Sequence, residues 1–131
     1  MNIAKTVLIL TLVYWGILFT LTHIPPAQTP EMGSADKLLH LVAYTLLAFL
    51  VSLNLLLTKR WNRFSILLSM IALTVYAGFD ELTQLLVGRT AAWYDWEADL
   101  IGILAGTTAC AMLIHIFRRT PLVQSLLQPK T

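Results

Sequence analysis

Charged residues are scarce in this sequence, and that scarcity limits the solvent that the protein can face. They make up 12% of the 131 residues, whereas hydrophobic residues make up 57% and the mean hydropathy is +0.72. Soluble domains usually carry about 25% charged residues. A chain with roughly half that share lacks the polar surface to cover a globule in water, so the composition predicts an integral membrane protein.

Cysteine and several nucleotide-binding and catalytic motifs are also scarce or missing. The single cysteine, Cys110, excludes an internal disulfide and a cysteine-rich zinc site. The sequence has no Walker loop, no dinucleotide-binding glycine motif and no Gly-x-Ser-x-Gly turn. The net charge is only +2 and forms no dense basic stripe, which argues against a nucleic-acid partner. ATP-driven transport by this chain alone is therefore not expected.

Four long apolar segments dominate what remains, at about residues 3–24, 38–57, 64–87 and 98–117. About 20 helical residues cross the hydrocarbon core of a bilayer, and a helix satisfies its own backbone amides in lipid. The sequence therefore predicts an all-α fold, a four-transmembrane-helix bundle formed by a single domain of residues 1–131. We interpret the first segment as a mature helix rather than a signal peptide, because no small-residue cleavage pattern precedes Pro25 and Pro26.

The basic residues predict the orientation of this bundle. With four spans, most of them fall on one side: Lys5, Lys59, Arg60, Arg63, Arg118, Arg119 and Lys130. Only Lys37 and Arg89 fall on the other side. The positive-inside rule then predicts that both termini are cytoplasmic and that the connectors 25–37 and 88–97 lie outside.

Every acidic residue is predicted to lie at this outer end. The seven acids are Glu31, Asp36, Asp80, Glu81, Asp95, Glu97 and Asp99. Acidic residues contribute little to topology, so the positive-inside rule does not explain the clustering. An unpaired Asp at the bilayer centre costs about 2.5 kcal/mol or more, and intramembrane acids usually mark functional sites.

Helical spacing arranges these residues into polar stripes, because residues four apart share a helix face. Helix two carries Asp36, His40 and Tyr44 on one face, and helix three carries Tyr76, Asp80 and Gln84. Gly102 and Gly106 on helix four form a small-xxx-small pattern that allows another helix to approach closely. We expect that approach to bring the acids of all three helices together.

Candidate roles follow from side-chain chemistry. The candidate catalytic residues are His40, Asp36, Asp80 and Glu81. The candidate ligand-binding residues are Lys37, Tyr44, Gln84, Arg89, Asp95 and Asp99. His40 is the predicted general base and Asp36 its orienting partner, and Arg89 is the predicted partner of one acid or an anion. No cofactor is firmly implied, although the acids make a divalent cation plausible. His23 and His115 are interpreted as structural.

The order and spacing of these residues resemble the VanZ-like family. The matching positions are Asp36, Lys37, His40, Tyr44, Asp80, Glu81, Gln84, Arg89, Asp95, Gly102 and Gly106. Asp99 departs from the family pattern, which commonly has Asn in that first turn of the last helix. The resemblance implies a cell-envelope role in the bacterial inner membrane, and a link to tolerance of the glycopeptide teicoplanin.

Three functions remain open from the sequence. The first is a protein whose outer polar pocket binds a membrane lipid or a lipid-linked cell-wall precursor. The second is a membrane-embedded enzyme that acts on such a substrate with His40 as general base. The third, ranked lowest, is a small proton-coupled transporter, because no polar chain continues from the acids to the cytoplasmic side.

Overall fold

The computed structural model describes residues 2–25, 34–89 and 93–128, and within them all regular structure is helical. The helices are α1 (Ile3–Thr22), α2 (Ser34–Leu57), α3 (Arg63–Gln84), α4 (Trp93–Phe117) and α5 (Pro121–Leu127), with one 3-10 turn at Leu85–Val87. The all-α prediction is confirmed. Glu31 and Lys130, and much of the predicted connector 25–37, lie outside the described residues.

The helix ends differ from the predicted ones where polar residues extend a helix beyond its apolar run. Helix α2 begins at Ser34 rather than residue 38, and α4 begins at Trp93 rather than residue 98. Hydropathy locates the segment that suits lipid, whereas a helix continues as long as its backbone bonds continue. Asp36 and Asp95 therefore lie in first helical turns, where the helix dipole favours acids.

Helices α1 to α4 are each long and apolar enough to cross a membrane. Their outward surfaces carry exposed leucine, isoleucine, valine and phenylalanine side chains, which lipid tails accommodate. The chain is thus a multi-pass membrane protein. Gly88 adopts a left-handed conformation (φ 78°) after the 3-10 turn, and glycine does so without strain.

The helix pair α2 and α4 forms the most extensive interface of the bundle. A Cβ atom at Gly102 would lie 2.6 Å from the carbonyl oxygen of Leu41, and one at Gly106 would overlap the carbonyl oxygen of Thr45. Only glycine fits these two positions without separating the helices. The predicted small-xxx-small contact is therefore present, and its partner is α2.

The other long helices pack around this pair. Tyr14 of α1 donates a hydrogen bond to the carbonyl oxygen of Ala43 on α2 at 3.0 Å. Trp15 of α1 meets Tyr76 of α3 edge to face, with the ring centroids 4.9 Å apart. Helices α1 and α3 end, and α2 and α4 begin, at the same end of the bundle. We call this the acidic end, because it holds all the described carboxylates, and the opposite end the basic end.

Candidate functional site

His40 lies at the centre of the acidic end, between two carboxylates from other helices. Its Nδ1 atom lies 3.0 Å from Oδ1 of Asp99 on α4 and 3.8 Å from Oε1 of Glu81 on α3. All three side chains are buried. The glycine contact of α2 with α4 explains the close approach, because Asp99 precedes Gly102 by one helical turn.

Asp36 was expected to orient His40, but the structure gives Asp36 a different partner. Arg89 donates a hydrogen bond from Nη2 to Oδ2 of Asp36 at 3.3 Å, which forms a half-buried ion pair. Asp99 takes the position beside His40 instead. The reason is that α4 packs directly on the His40 face of α2, whereas Asp36, one turn further out, meets Arg89 just after the turn that ends α3.

Asp80 is fully buried and lies in a network of hydrogen-bond donors. Tyr76 and Gln84, from the same face of α3, reach it at 3.5 Å and 3.4 Å. The Gln84 amide also donates to Oε1 of Glu81 at 3.2 Å and so joins the two neighbouring acids. The predicted stripe of Tyr76, Asp80 and Gln84 is present, and it fixes the carboxylates within the protein interior rather than toward lipid.

Two site residues on α1 were not predicted. Thr22 donates a hydrogen bond to Oδ1 of Asp80 at 3.2 Å, and His23 Nδ1 lies 3.9 Å from the same oxygen. His23 Nε2 also lies 2.9 Å from the hydroxyl of Thr83. One feature of the sequence could have indicated them. Both residues lie at the end of α1, at about the depth in the membrane where Asp80 lies on α3. His23 was interpreted as structural, and the structure places it in contact with Asp80 and Thr83.

The remaining predicted residues lie around the cluster, some near the surface and one beneath it. Asp95 is half-buried, and Lys37 is exposed with its ammonium 4.5 Å from the centroid of the Tyr94 ring. Tyr44 lies one turn below His40 and is fully buried. The structure therefore brings His40, Glu81 and Asp99 into one group, with Tyr44 beneath it, and leaves Lys37 outside.

A cavity of about 300 Å³ opens beside this cluster between α1 and α2. Its wall is mainly apolar, from Tyr14, Ile17, Leu18, Leu21, Ile24, Leu39 and Ala43, with Thr22 also on the wall. Asp36, His40 and Arg89 also line it. Its volume is at the small end of the range for ligand pockets, and the combination of an apolar wall with a few convergent polar groups is typical of them.

Two sets of side chains in the described part of the chain could hold a metal ion. Asp36, His40 and Asp95 form one, and His40, Glu81 and Asp99 form the other, each with its ligand atoms within 4.8 Å of one another. Both sets share His40. The arrangement offers a base with a carboxylate partner, a guanidinium for an anion, and oxygen and nitrogen ligands for a cation.

A comparison with models of known protein families shows which family the chain belongs to. The VanZ/LLP1 family model matches residues 4–117 of the chain. The chain belongs to the VanZ/LLP1 family. This confirms the resemblance expected from the acidic-end residues, and the match covers all four long helices. No curated protein and no solved structure gave a match.

Proposed function

We propose that this VanZ/LLP1 protein binds a membrane lipid or a lipid-linked envelope component at its acidic end, which faces the outside of the bacterial inner membrane. The observation that carries the proposal is the cavity between α1 and α2, where an apolar wall meets Asp36, His40 and Arg89. An amphiphile with an anionic headgroup matches both parts of that cavity. The apolar wall would take its chain and Arg89 its headgroup.

Arg89 supports an anionic headgroup because a guanidinium binds phosphate or carboxylate with paired hydrogen bonds. Its contact with Asp36, at 3.3 Å, is long for a charge-assisted hydrogen bond. Both side chains are partly accessible, at 16% for Arg89 and 26% for Asp36. A phosphate could therefore exchange for Asp36 at Arg89 without opening the buried cluster.

The wall of the cavity supports an acyl or isoprenoid chain. Ile17, Leu21 and Leu39 line it and are also exposed on the bundle surface. In a bilayer these side chains face lipid, so a chain can enter the cavity sideways from the membrane. The carboxylate of half-buried Asp95 and the solvent-accessible part of the Asp36 carboxylate would accept hydrogen bonds from sugar or amine groups of the lipid headgroup.

Native mass spectrometry of the detergent-purified protein tests the binding. Wild type should retain phosphatidylglycerol or a polyprenyl phosphate over phosphatidylcholine, and the first two lipids distinguish a phospholipid from a lipid-linked precursor. Arg89→Ala should lose about 10-fold or more in retention, since a hydrogen bond to a charged group contributes about 1.5–3 kcal/mol. Arg60→Ala is the matched control, because Arg60 is exposed at the basic end. Equal lipid retention by Arg89→Ala and Arg60→Ala would refute the proposal.

The orientation is tested by cysteine labelling in a Cys110→Ala background. Glu97 and Arg60 are exposed at the acidic and basic ends. We expect a membrane-impermeant maleimide added to intact spheroplasts to label Glu97→Cys and not Arg60→Cys. The reverse pattern would place the acidic end in the cytoplasm and both termini outside, and would refute the proposed orientation.

Tolerance of teicoplanin, which the family resemblance implies, is part of the same proposal. Expression of the wild type in a teicoplanin-sensitive host should raise the inhibitory concentration, and Arg89→Ala should not. An unchanged inhibitory concentration would separate this chain from the resistance role while leaving lipid binding to be judged by mass spectrometry.

A second candidate, a membrane-embedded enzyme, is favoured by one specific contact. The 3.0 Å bond of His40 to Asp99 has the geometry of a general base held by a carboxylate. For an enzyme, His40→Ala should abolish turnover of the bound lipid and leave its retention nearly unchanged. Full cellular function of His40→Ala would exclude the catalytic role.

A further inference from the structure

The buried part of the acidic end holds three carboxylates, those of Asp80, Glu81 and Asp99. Among the described residues, this end carries six carboxylates and two fixed cations, Lys37 and Arg89. Arg89 contacts Asp36, and Lys37 lies over the Tyr94 ring. Buried carboxylates require a paired charge or a bound cation, because desolvation of an unpaired charge is costly.

We infer that His40, Glu81 and Asp99 form a binding site for one divalent transition-metal ion, which Zn²⁺ probes directly. The three residues come from three helices and point one ligand atom each to a common region. Three protein ligands of nitrogen and oxygen, with a further position open, are the usual set of a zinc site that binds a substrate or water.

Two of the three distances between the ligand atoms fit such an ion, and the third is within 4.8 Å. In a tetrahedron with metal–ligand bonds of about 2.0–2.1 Å, neighbouring ligand atoms lie about 3.3 Å apart. His40 Nδ1 lies 3.0 Å from Asp99 Oδ1 and 3.8 Å from Glu81 Oε1, which brackets that spacing. Small side-chain rotations would therefore complete the coordination, with the ion between His40, Glu81 and Asp99.

Two further atoms point to a ligand at this position. Oδ2 of Asp99 and the hydroxyl of Tyr44 are buried and have no hydrogen-bond partner among the described residues. Both side chains are fully buried, at 0% exposure. Buried polar atoms in native proteins are almost always satisfied, so a bound ion and its coordinated water would account for both. Gln84, which donates to Glu81, is the kind of supporting residue that orients metal ligands.

The alternative set, Asp36, His40 and Asp95, is less suited to a cation. Asp36 is paired with Arg89, whose fixed positive charge repels an incoming ion. Asp36 is also only partly buried, so water already solvates its carboxylate. The set around Asp99 has neither disadvantage, which is why we assign the ion to it.

Metal titration of the detergent-purified, chelator-treated protein tests this assignment. We expect one Zn²⁺ per chain by elemental analysis, and an increase in thermal stability when Zn²⁺ is added. Co²⁺ should give the intense visible absorption of a four- or five-coordinate site. Asp99→Asn should weaken Zn²⁺ binding about 100-fold and abolish the stabilisation, and His40→Gln should do the same.

Glu97→Gln is the control, because Glu97 is an exposed acid on the same helix as Asp99. It should bind Zn²⁺ within a few-fold of wild type. Equal Zn²⁺ affinity of Asp99→Asn and wild type would overturn the site, as would a loss confined to Asp95→Asn in the alternative set. If Asp99→Asn misfolds, Glu81→Gln provides the same comparison. The assay contains no lipid, so its outcome is independent of the lipid-binding proposal.

Discussion

The two ends of the α2–α4 interface use the same pair of helices in opposite ways. Beyond Gly102, toward the acidic end, the contact consists of His40 against Asp99. Below Gly106, toward the basic end, it consists of Leu56 packed against Cys110 and Ile114, with Val123 and Leu126 of α5 alongside. The apolar half resembles ordinary packing in a membrane bundle, whereas the polar half holds groups that lipid disfavours. The difference indicates that apolar packing holds the two helices together toward the basic end, whereas the acidic end holds the polar residues of the candidate site.

The largest effect is expected at Gly106, because both halves of the α2–α4 interface depend on the close helix contact there. Gly106→Val should prevent folding, since its side chain would overlap the backbone of α2 at Thr45 rather than a flexible side chain. Overpacking costs about 1–3 kcal/mol even where side chains can shift, and backbone cannot shift cheaply. Yield of monodisperse protein after size-exclusion chromatography measures this. Gly16→Ala is the control, because nothing lies near a Cβ there; equal yields of the two variants would contradict the close contact.

The next effect separates stability from function at the acidic end. His40→Leu should destabilise the protein by about 3–5 kcal/mol, because it leaves buried carboxylates without their partner. The double variant His40→Leu, Asp99→Leu should recover much of that stability, since apolar replacement of both members of a buried pair is often neutral. Unfolding in mixed SDS micelles reports the stabilities. Full lipid and metal binding by the double variant would show that this pair has only a structural role.

A smaller effect is expected at the basic end. Ile114→Ala should cost about 2 kcal/mol through the cavity it leaves, the lower part of the range for such core truncations. Lipid retention and Zn²⁺ affinity should not change, because Ile114 lies at the opposite end of α4 from Asp99. A clear drop in either binding measurement would show that the two ends are not separable.

The smallest effect is expected for Cys110→Ala. Cys110 is buried and packs as a small apolar side chain beside Leu56 and Ile114. Loss of one sulfur atom should cost about 1 kcal/mol or less in SDS unfolding, near the value for other small core changes. A loss of several kcal/mol would contradict a packing role for this thiol.

The sequence predicted the helices well, but it predicted less well which side chains contact one another. Apolar length was sufficient for four spans, and the spacing of Gly102 and Gly106 predicted a close helix contact. The partner of His40 was not predictable from spacing, because Asp36 and Asp99 are both plausible until the rotation of α4 against α2 is known. The contact of His23 with Asp80 was not predicted for a related reason: the similar depth of the two residues does not show that the end of α1 packs against α3 there.

The proposed function requires an anionic lipid that enters between α1 and α2, and photo-crosslinking tests this entry most directly. A phosphatidylglycerol or polyprenyl phosphate with a diazirine in its chain would be bound to wild type in detergent, irradiated and mapped by peptide mass spectrometry. We predict adducts at Ile17, Leu21 and Leu39 in the cavity wall, which Arg89→Ala removes. Adducts spread equally over exposed α3 positions such as Leu67 and Val75, unchanged by Arg89→Ala, would contradict the proposed function.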